Sequence, residues 1–124
     1  MNVNELQGKI ITEIFGMYEG SDSIIFVCED GTRYKMFHDQ DCCETVKIES
    51  VTGDDCDLLN TRISLAEEVT NYSTKDKPKN PDSYTYTFYK FGTIKGYVDL
   101  RWLGESNGYY SESVDFVKLE QPND

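Results

Sequence analysis

YTYTFYKF (residues 84–91), YVDLRWL (97–103) and ESVDFVKL (112–119) are three segments in which large apolar side chains alternate with polar ones. A period of two is the signature of a half-buried strand, so this third of the chain predicts a three-stranded antiparallel meander. Turn chemistry suggests its register. Ser106-Asn107-Gly108 suits a three-residue hairpin loop whose last member is left-handed, where glycine carries no Cβ penalty. Treating Gly92 to Gly96 as a five-residue loop then pairs Phe88 with Leu100 and Tyr86 with Trp102. One face collects Tyr86, Phe88, Val98, Leu100, Trp102, Val114 and Phe116 as a core; the other gathers Tyr89, Asp99, Arg101, Ser113 and Asp115. Two acids meeting one arginine beside tyrosines make a polar recognition surface, in which Arg101 engages a carboxylate or phosphate and Tyr89 or Tyr97 stacks. Tyr109 and Tyr110, at the expected hairpin tip, would cover a partner, a second copy or a neighbouring loop.

Upstream, Lys9 to Tyr18 reads as a strand ending in a turn. Residues 23–29 and 32–38 flank Asp30-Gly31, a two-residue hairpin signal that sets Val27 opposite Tyr34 and Ile25 opposite Met36 on a buried face. His38 shares the parity of Tyr34 and Met36 and is expected at the core edge with one nitrogen bonded. After a polar bend, DQDCCE (39–44), a further strand turns Val46 and Ile48 inward. Gly53 to Asp57 is an acidic bend without the ligand alternation of an EF-hand, and suits a solvated turn or a helix N-terminus. Residues 62–72 fit helix by composition and strand by the parity of Ile63, Leu65 and Val69, with strand preferred. Residues 73–83 carry three lysines and two prolines and read as a flexible loop, and 120–124 as a frayed tail.

The fold class expected is therefore mainly β: one domain over 1–124, an antiparallel sheet, sandwich or half-barrel with at most one or two short helices. The chain carries 23 acidic against 12 basic residues, a net charge of -11, which repels nucleic-acid phosphates and anionic lipid. No apolar run reaches bilayer length, and the acidic start lacks an export-signal pattern, so a cytoplasmic protein is expected. There the four cysteines are expected to be thiols, all the more so for the adjacent Cys42 and Cys43, whose bridge would be strained. His38, Cys42 or Cys43, and Cys56 are zinc-type ligands without paired-ligand spacing, so neither metal nor cofactor is expected. His38 is the sole histidine, and the chain has no P-loop, Rossmann glycines or triad pattern, which argues against an enzyme.

DQDCCE, together with TFYKFGTIKGY and RWLGESNGYYSESVDF, resembles a small family of phage and prophage proteins of unknown function over about residues 8–117, with Tyr86 where that family would carry Trp. The resemblance implies an accessory protein made in an infected bacterium, where such genes often counter host defences. The function expected is non-catalytic inhibition of an anti-phage defence effector, by an acidic and nucleic-acid-mimicking surface as in an anti-CRISPR. One alternative is a sponge for a nucleotide immune signal, with Arg101 and Lys90 or Lys95 on phosphate and tyrosines on the base; another is a small enzyme or metal-binding protein. A homo-oligomer is compatible with each.

Overall fold

A computed structural model describes residues 2–70, 83–107 and 110–119. The strands are β1 (Ile11–Phe15), β2 (Ser23–Cys28), β3 (Arg33–Phe37), β4 (Thr45–Thr52), β5 (Leu65–Thr70), β6 (Ser83–Thr93), β7 (Gly96–Ser106) and β8 (Asp115–Leu119). Two antiparallel sheets result, ordered β1-β2-β3-β8 and β4-β7-β6-β5, with 3-10 turns at Val3–Leu6 and Asp55–Asp57 as the helical elements. The mainly β class follows directly, and residues 65–70 are strand. The loop at 73–82 and the tail at 120–124 lie outside the described residues.

The inner faces of both sheets supply one core. Ile24, Phe26, Tyr34, Met36 and Phe116 come from the first, and Val46, Ile48, Tyr89, Phe91, Val98, Leu100 and Trp102 from the second. Phe26 and Phe91 meet across the gap at 5.8 Å between ring centroids, and Tyr34 stacks on Phe116 at 5.1 Å. Val46 and Ile48 point inward as expected. In β5 the inward residue is Ala66; Val69 is exposed, so the expected parity there is reversed.

Three further expectations are corrected, two of them by one residue. At Asp30-Gly31 the Cys28 amide donates to Thr32 O and the Gly31 amide to Cys28 O, so Glu29, Asp30 and Gly31 form a three-residue loop. Gly31 takes the left-handed position (φ 89°), and the Asp30 carboxylate accepts from the Thr32 amide and hydroxyl. Phe26 therefore faces Tyr34 and Ile24 faces Met36, which buries Cys28 and turns Ile25 and Val27 away. Between β6 and β7 the loop is Ile94-Lys95, with Thr93 paired to Gly96. No glycine is needed within it, because the Thr93 hydroxyl accepts from the Lys95 amide and donates to Asp57 O. Thr87 thereby faces Trp102 and Tyr89 faces Leu100, which puts Tyr86 and Phe88 on the outer face.

The third correction concerns topology: β8 pairs with β3, not β7. The chain changes sheets at 38–44 and again at 107–114, and these two crossovers are tied together. His38 Nδ1 donates to Ser113 O at 2.8 Å, its Nε2 donates to Glu44 Oε2 at 2.7 Å, and the Asp39 amide donates to Asp115 Oδ2 at 3.1 Å. Both ring partners are acceptors only, so His38 is an imidazolium, with a side chain 3% exposed against 0% for Glu44. Glu44 also accepts from the Asp41 and Cys42 amides and the Gln40 side chain, which wraps the DQDCCE bend around one carboxylate. On the rim of that bend Cys42 and Cys43 are joined in a disulfide, contrary to the thiols expected, because the turn brings adjacent exposed sulfurs together; Cys28 and Cys56 are thiols. The second crossover is held by Glu112, which accepts from Thr85 Oγ1 at 2.8 Å and from the Ser106 hydroxyl. It lies so close to β7 that a Cβ on Gly104 would sit 2.5 Å from Glu112 O.

Gly104→Ala is accordingly expected to destabilise the protein by about 1–3 kcal/mol, as overpacking against backbone does. Urea unfolding would show a lower midpoint at an unchanged slope; an unaltered midpoint would mean that the crossover does not pack there.

The ion pair predicts a pH profile. Burial pushes the His38 imidazolium towards deprotonation, yet the bonds to Glu44 and the Ser113 carbonyl outweigh it and hold its pKa above the ordinary value. Burial opposes charge on Glu44 as well, but His38 and the backbone amides bring its pKa down to about 2. The contribution of His38 is thus complete below about 6.5 and lost as pH rises through its raised folded value. That of Glu44 is complete above about 4.3 and lost as pH falls through its lowered one. Urea midpoints should be highest between those limits, and Glu44→Gln should lower the plateau and flatten both shoulders. Parallel profiles for parent and variant would refute the pairing.

Candidate functional site

The outer face of the second sheet, away from the core, is built by register. One row crosses all four strands as Val69, Phe88, Arg101 and Ser50, and the next as Glu67, Lys90, Asp99 and Thr52. Direct cross-strand neighbours lie roughly 5 Å apart at Cβ, so each row is a line of touching side chains. Two hollows of about 460 Å³ and 220 Å³ share Phe88, Asp99 and Leu100 and form a single trough along these rows.

Phe88 lines both hollows, and Tyr86 beside it is 3% exposed, covered on the same face. Tyr84, Tyr86 and Phe88 follow one another on the outer face of β6, with centroids 5.8 Å and 6.3 Å apart. The Arg101 guanidinium carbon lies 5.2 Å from the Tyr86 ring centroid, and its far nitrogen pairs with Glu49. Glu49 sits at the irregularity of β4 between Ile48 and Ser50, and an extra residue there re-aims the side chain towards its neighbour strand. Lys90 stands 5.2 Å from the Tyr97 ring centroid, between the cross-strand acids Glu67 and Asp99. Tyr97 lies over Gly92, where a Cβ would come within 2.7 Å of the ring. Cations held on aromatic faces are already oriented, which lowers the entropy lost when a partner uses them.

The structure divides the residues singled out from sequence. Tyr97, Asp99 and Arg101 share this face, as expected. Tyr89 does not: it is 1% exposed and points into the core. Asp115 lies on β8 in the other sheet, and Tyr110 is half-buried in the second crossover and not at a hairpin tip. Tyr109 lies outside the described residues. Lys95 is not on this face either; its ammonium donates to the Cys56 and Leu59 carbonyls. Lys90, expected from sequence beside Arg101, does lie here, whereas Phe88, Tyr86 and Glu49 are the members that sequence reasoning missed. The signal available for Phe88 and Tyr86 was the short Thr-Ile-Lys-Gly turn, which shifts the parity of the whole of β6; the irregularity that aims Glu49 had none.

His38, Cys42, Cys43 and Cys56 do not form a zinc set, since both His38 nitrogens donate to oxygens and two of the sulfurs are bonded to each other. Asp54, Asp55 and Cys56 are the one group among the described residues whose ligand atoms lie within metal-binding reach of one another. Asp54 there caps the 3-10 turn, accepting from the Cys56 amide at 3.2 Å. The same bend matches the solvated turn expected for it.

No curated protein and no solved structure matches the chain. Residues 4–116 match DUF7448, a domain of unknown function, and the chain belongs to that family.

Proposed function

We propose that the protein is a non-catalytic, phage-type accessory protein of the bacterial host cytoplasm, which inhibits an anti-phage defence effector by occupying it through the trough. The observation that carries this reading is the row Val69–Phe88–Arg101, flanked by Tyr84, Tyr86 and Tyr97, on a sheet face turned away from the core. Tyrosine and arginine dominate the energetics of protein interfaces, because each combines large contact area with a directional polar group. The excess of 11 negative charges favours encounter with a basic effector surface.

Charge on the face argues for a protein rather than a free phosphate compound. Lys90 is flanked by Glu67 and Asp99, and Arg101 is paired with Glu49, so three acids accompany two cations along the trough. A nucleotide would have to displace carboxylates from both. His38 likewise offers no general base, since both ring nitrogens are donors in hydrogen bonds.

Expression of the chain in a bacterium carrying the relevant defence system should restore phage plating, and a basic effector should be retained on the immobilised protein in a salt-sensitive manner. Arg101→Ala and Phe88→Ala should each weaken that retention by roughly 2 kcal/mol, about 30-fold, without shifting the melting temperature. Release of a nucleotide on heating, in place of a retained protein, would favour the sponge. Unchanged retention by both variants would exclude the trough as the contact surface.

A further inference from the structure

The bend that wraps Glu44 carries sulfur chemistry that the ion pair does not use. Cys42 and Cys43 are adjacent, both exposed, and joined by a disulfide. Because the two residues are neighbours, the bridge closes a small ring that contains the peptide group between them, and the carbonyl of that peptide belongs to Cys42. The ring stands at the surface, so a reagent in solution reaches either sulfur. Exposed bridges are the labile ones, open to exchange with thiols around them.

Both main-chain groups of Cys42 take part in holding Glu44. The Cys42 amide donates to Glu44 Oε1 at 2.8 Å, next to the Asp41 amide on Oε2 at 2.9 Å. The Cys42 carbonyl, the one inside the ring, accepts from Gln40 Nε2 at 3.2 Å. The same nitrogen donates to Glu44 Oε1 at 3.1 Å and to the Glu44 carbonyl at 2.7 Å. Ring, Gln40 amide and Glu44 carboxylate are therefore one connected unit, which continues through His38 to Ser113 O in the second crossover. While the bridge is closed, the peptide between the cysteines is held in place, and its carbonyl stays on Gln40. Opening the bridge returns rotation about the backbone bonds on either side, and the hydrogen bonds must then hold the bend against that added freedom.

We propose that Cys42 and Cys43 form a reversible thiol–disulfide site, through which the redox state of the surroundings sets how firmly the two crossovers are held together. The reductant is a dithiol. One of its sulfurs, as thiolate, attacks Sγ of one cysteine; the S–S bond breaks, and the released protein sulfur takes up a proton. The second thiolate of the reductant then attacks the mixed disulfide, which frees the other protein sulfur as a thiol and leaves the reductant as a disulfide. The protein gains two electrons and two protons, and the reductant gives them up. Closure is the reverse exchange with a disulfide oxidant. A reducing medium thus opens the ring and loosens the corner; an oxidising one closes and tightens it. Neither cysteine, nor Gln40 or Glu44, lines the trough, so the two proposals stand or fall separately.

The test uses the full chain carrying Cys56→Ser, which removes the exposed thiol that would react on its own; Cys28 is buried. Dithiothreitol is the reductant and oxidised glutathione the oxidant. The folded protein should take up no maleimide when oxidised, should be labelled at Cys42 and Cys43 once reduced, and should lose that labelling on re-oxidation. On reduction the amides of Asp41 and Cys42 should exchange with solvent roughly tenfold faster, as the weakening of an ordinary hydrogen bond allows. The ring resonances of His38, the sole histidine, should move, and the urea midpoint should fall. Cys42→Ser combined with Cys43→Ser should show the exchange rates and midpoint of the reduced form with or without dithiothreitol. A pair that dithiothreitol fails to open, or that oxidised glutathione fails to close, would overturn the proposal. So would oxidised and reduced forms with the same exchange rates, His38 resonances and urea midpoint, because the bridge would then be a bystander of the corner. A response to dithiothreitol that survives in the double variant would place the effect elsewhere and equally refute it.

Discussion

A buried imidazolium and a buried carboxylate, His38 and Glu44, hold the corner at which the chain first changes sheets. Either charge alone in that position would be prohibitively desolvated, so the loop closes only when both are present and their remaining valences are filled. The Ser113 carbonyl fills the last valence of His38, which commits the second crossover to lie against the first. With both corners placed side by side, β8 is delivered to the free edge of β3 and not to its sequence neighbour β7. The strand order of the sandwich thus depends on a side-chain network, and the hairpins supply only local pairing.

Glu112 repeats the device on a smaller scale. Its carboxylate accepts from Thr85 and Ser106 at the paired ends of β6 and β7, while its backbone presses on Gly104. Two carboxylates, one in each crossover, therefore convert polar loops into fixed corners. With the corners fixed in this way, the register of the second sheet places Tyr86, Phe88 and Arg101 on its outer face, away from the core.

The alternation of apolar side chains was enough to identify strands, and it identified most of them, including the inward Val46 and Ile48 and the placement of Trp102 opposite to Arg101. Parity between strands was harder. It depends on loop length, and loop length here is set by side-chain chemistry that glycine patterns do not report. Asp30 bonding to Thr32 adds one residue to the first loop, whereas Thr93 bonding to the Lys95 amide shortens the last one. Each slip of one residue moved a full strand's side chains to the other face, which is why Tyr89 was sought on the surface and Phe88 in the core. The pairing of β8 with β3 had no local signal at all. It follows from His38 finding Ser113 75 residues away, a contact that turn residues cannot encode.

The family resemblance acquires a physical meaning from the same geometry. DQDCCE is the bend around Glu44, and RWLGESNGYYSESVDF runs from β7 through the second crossover into β8, while TFYKFGTIKGY is the β6–β7 hairpin, so two of the three stretches that carry the resemblance hold corners of the architecture. Corners tolerate little change, because each of their polar groups has an assigned partner. The trough answers to weaker constraints: its residues must keep strand parity, while the identity of an outward side chain is unconstrained by the core. The DUF7448 match, over residues 4–116, spans both sheets and both crossovers. The surface proposed to bind is set instead by the outward positions of β5 to β7, where the core places no demand on which side chain stands at Phe88 or Arg101.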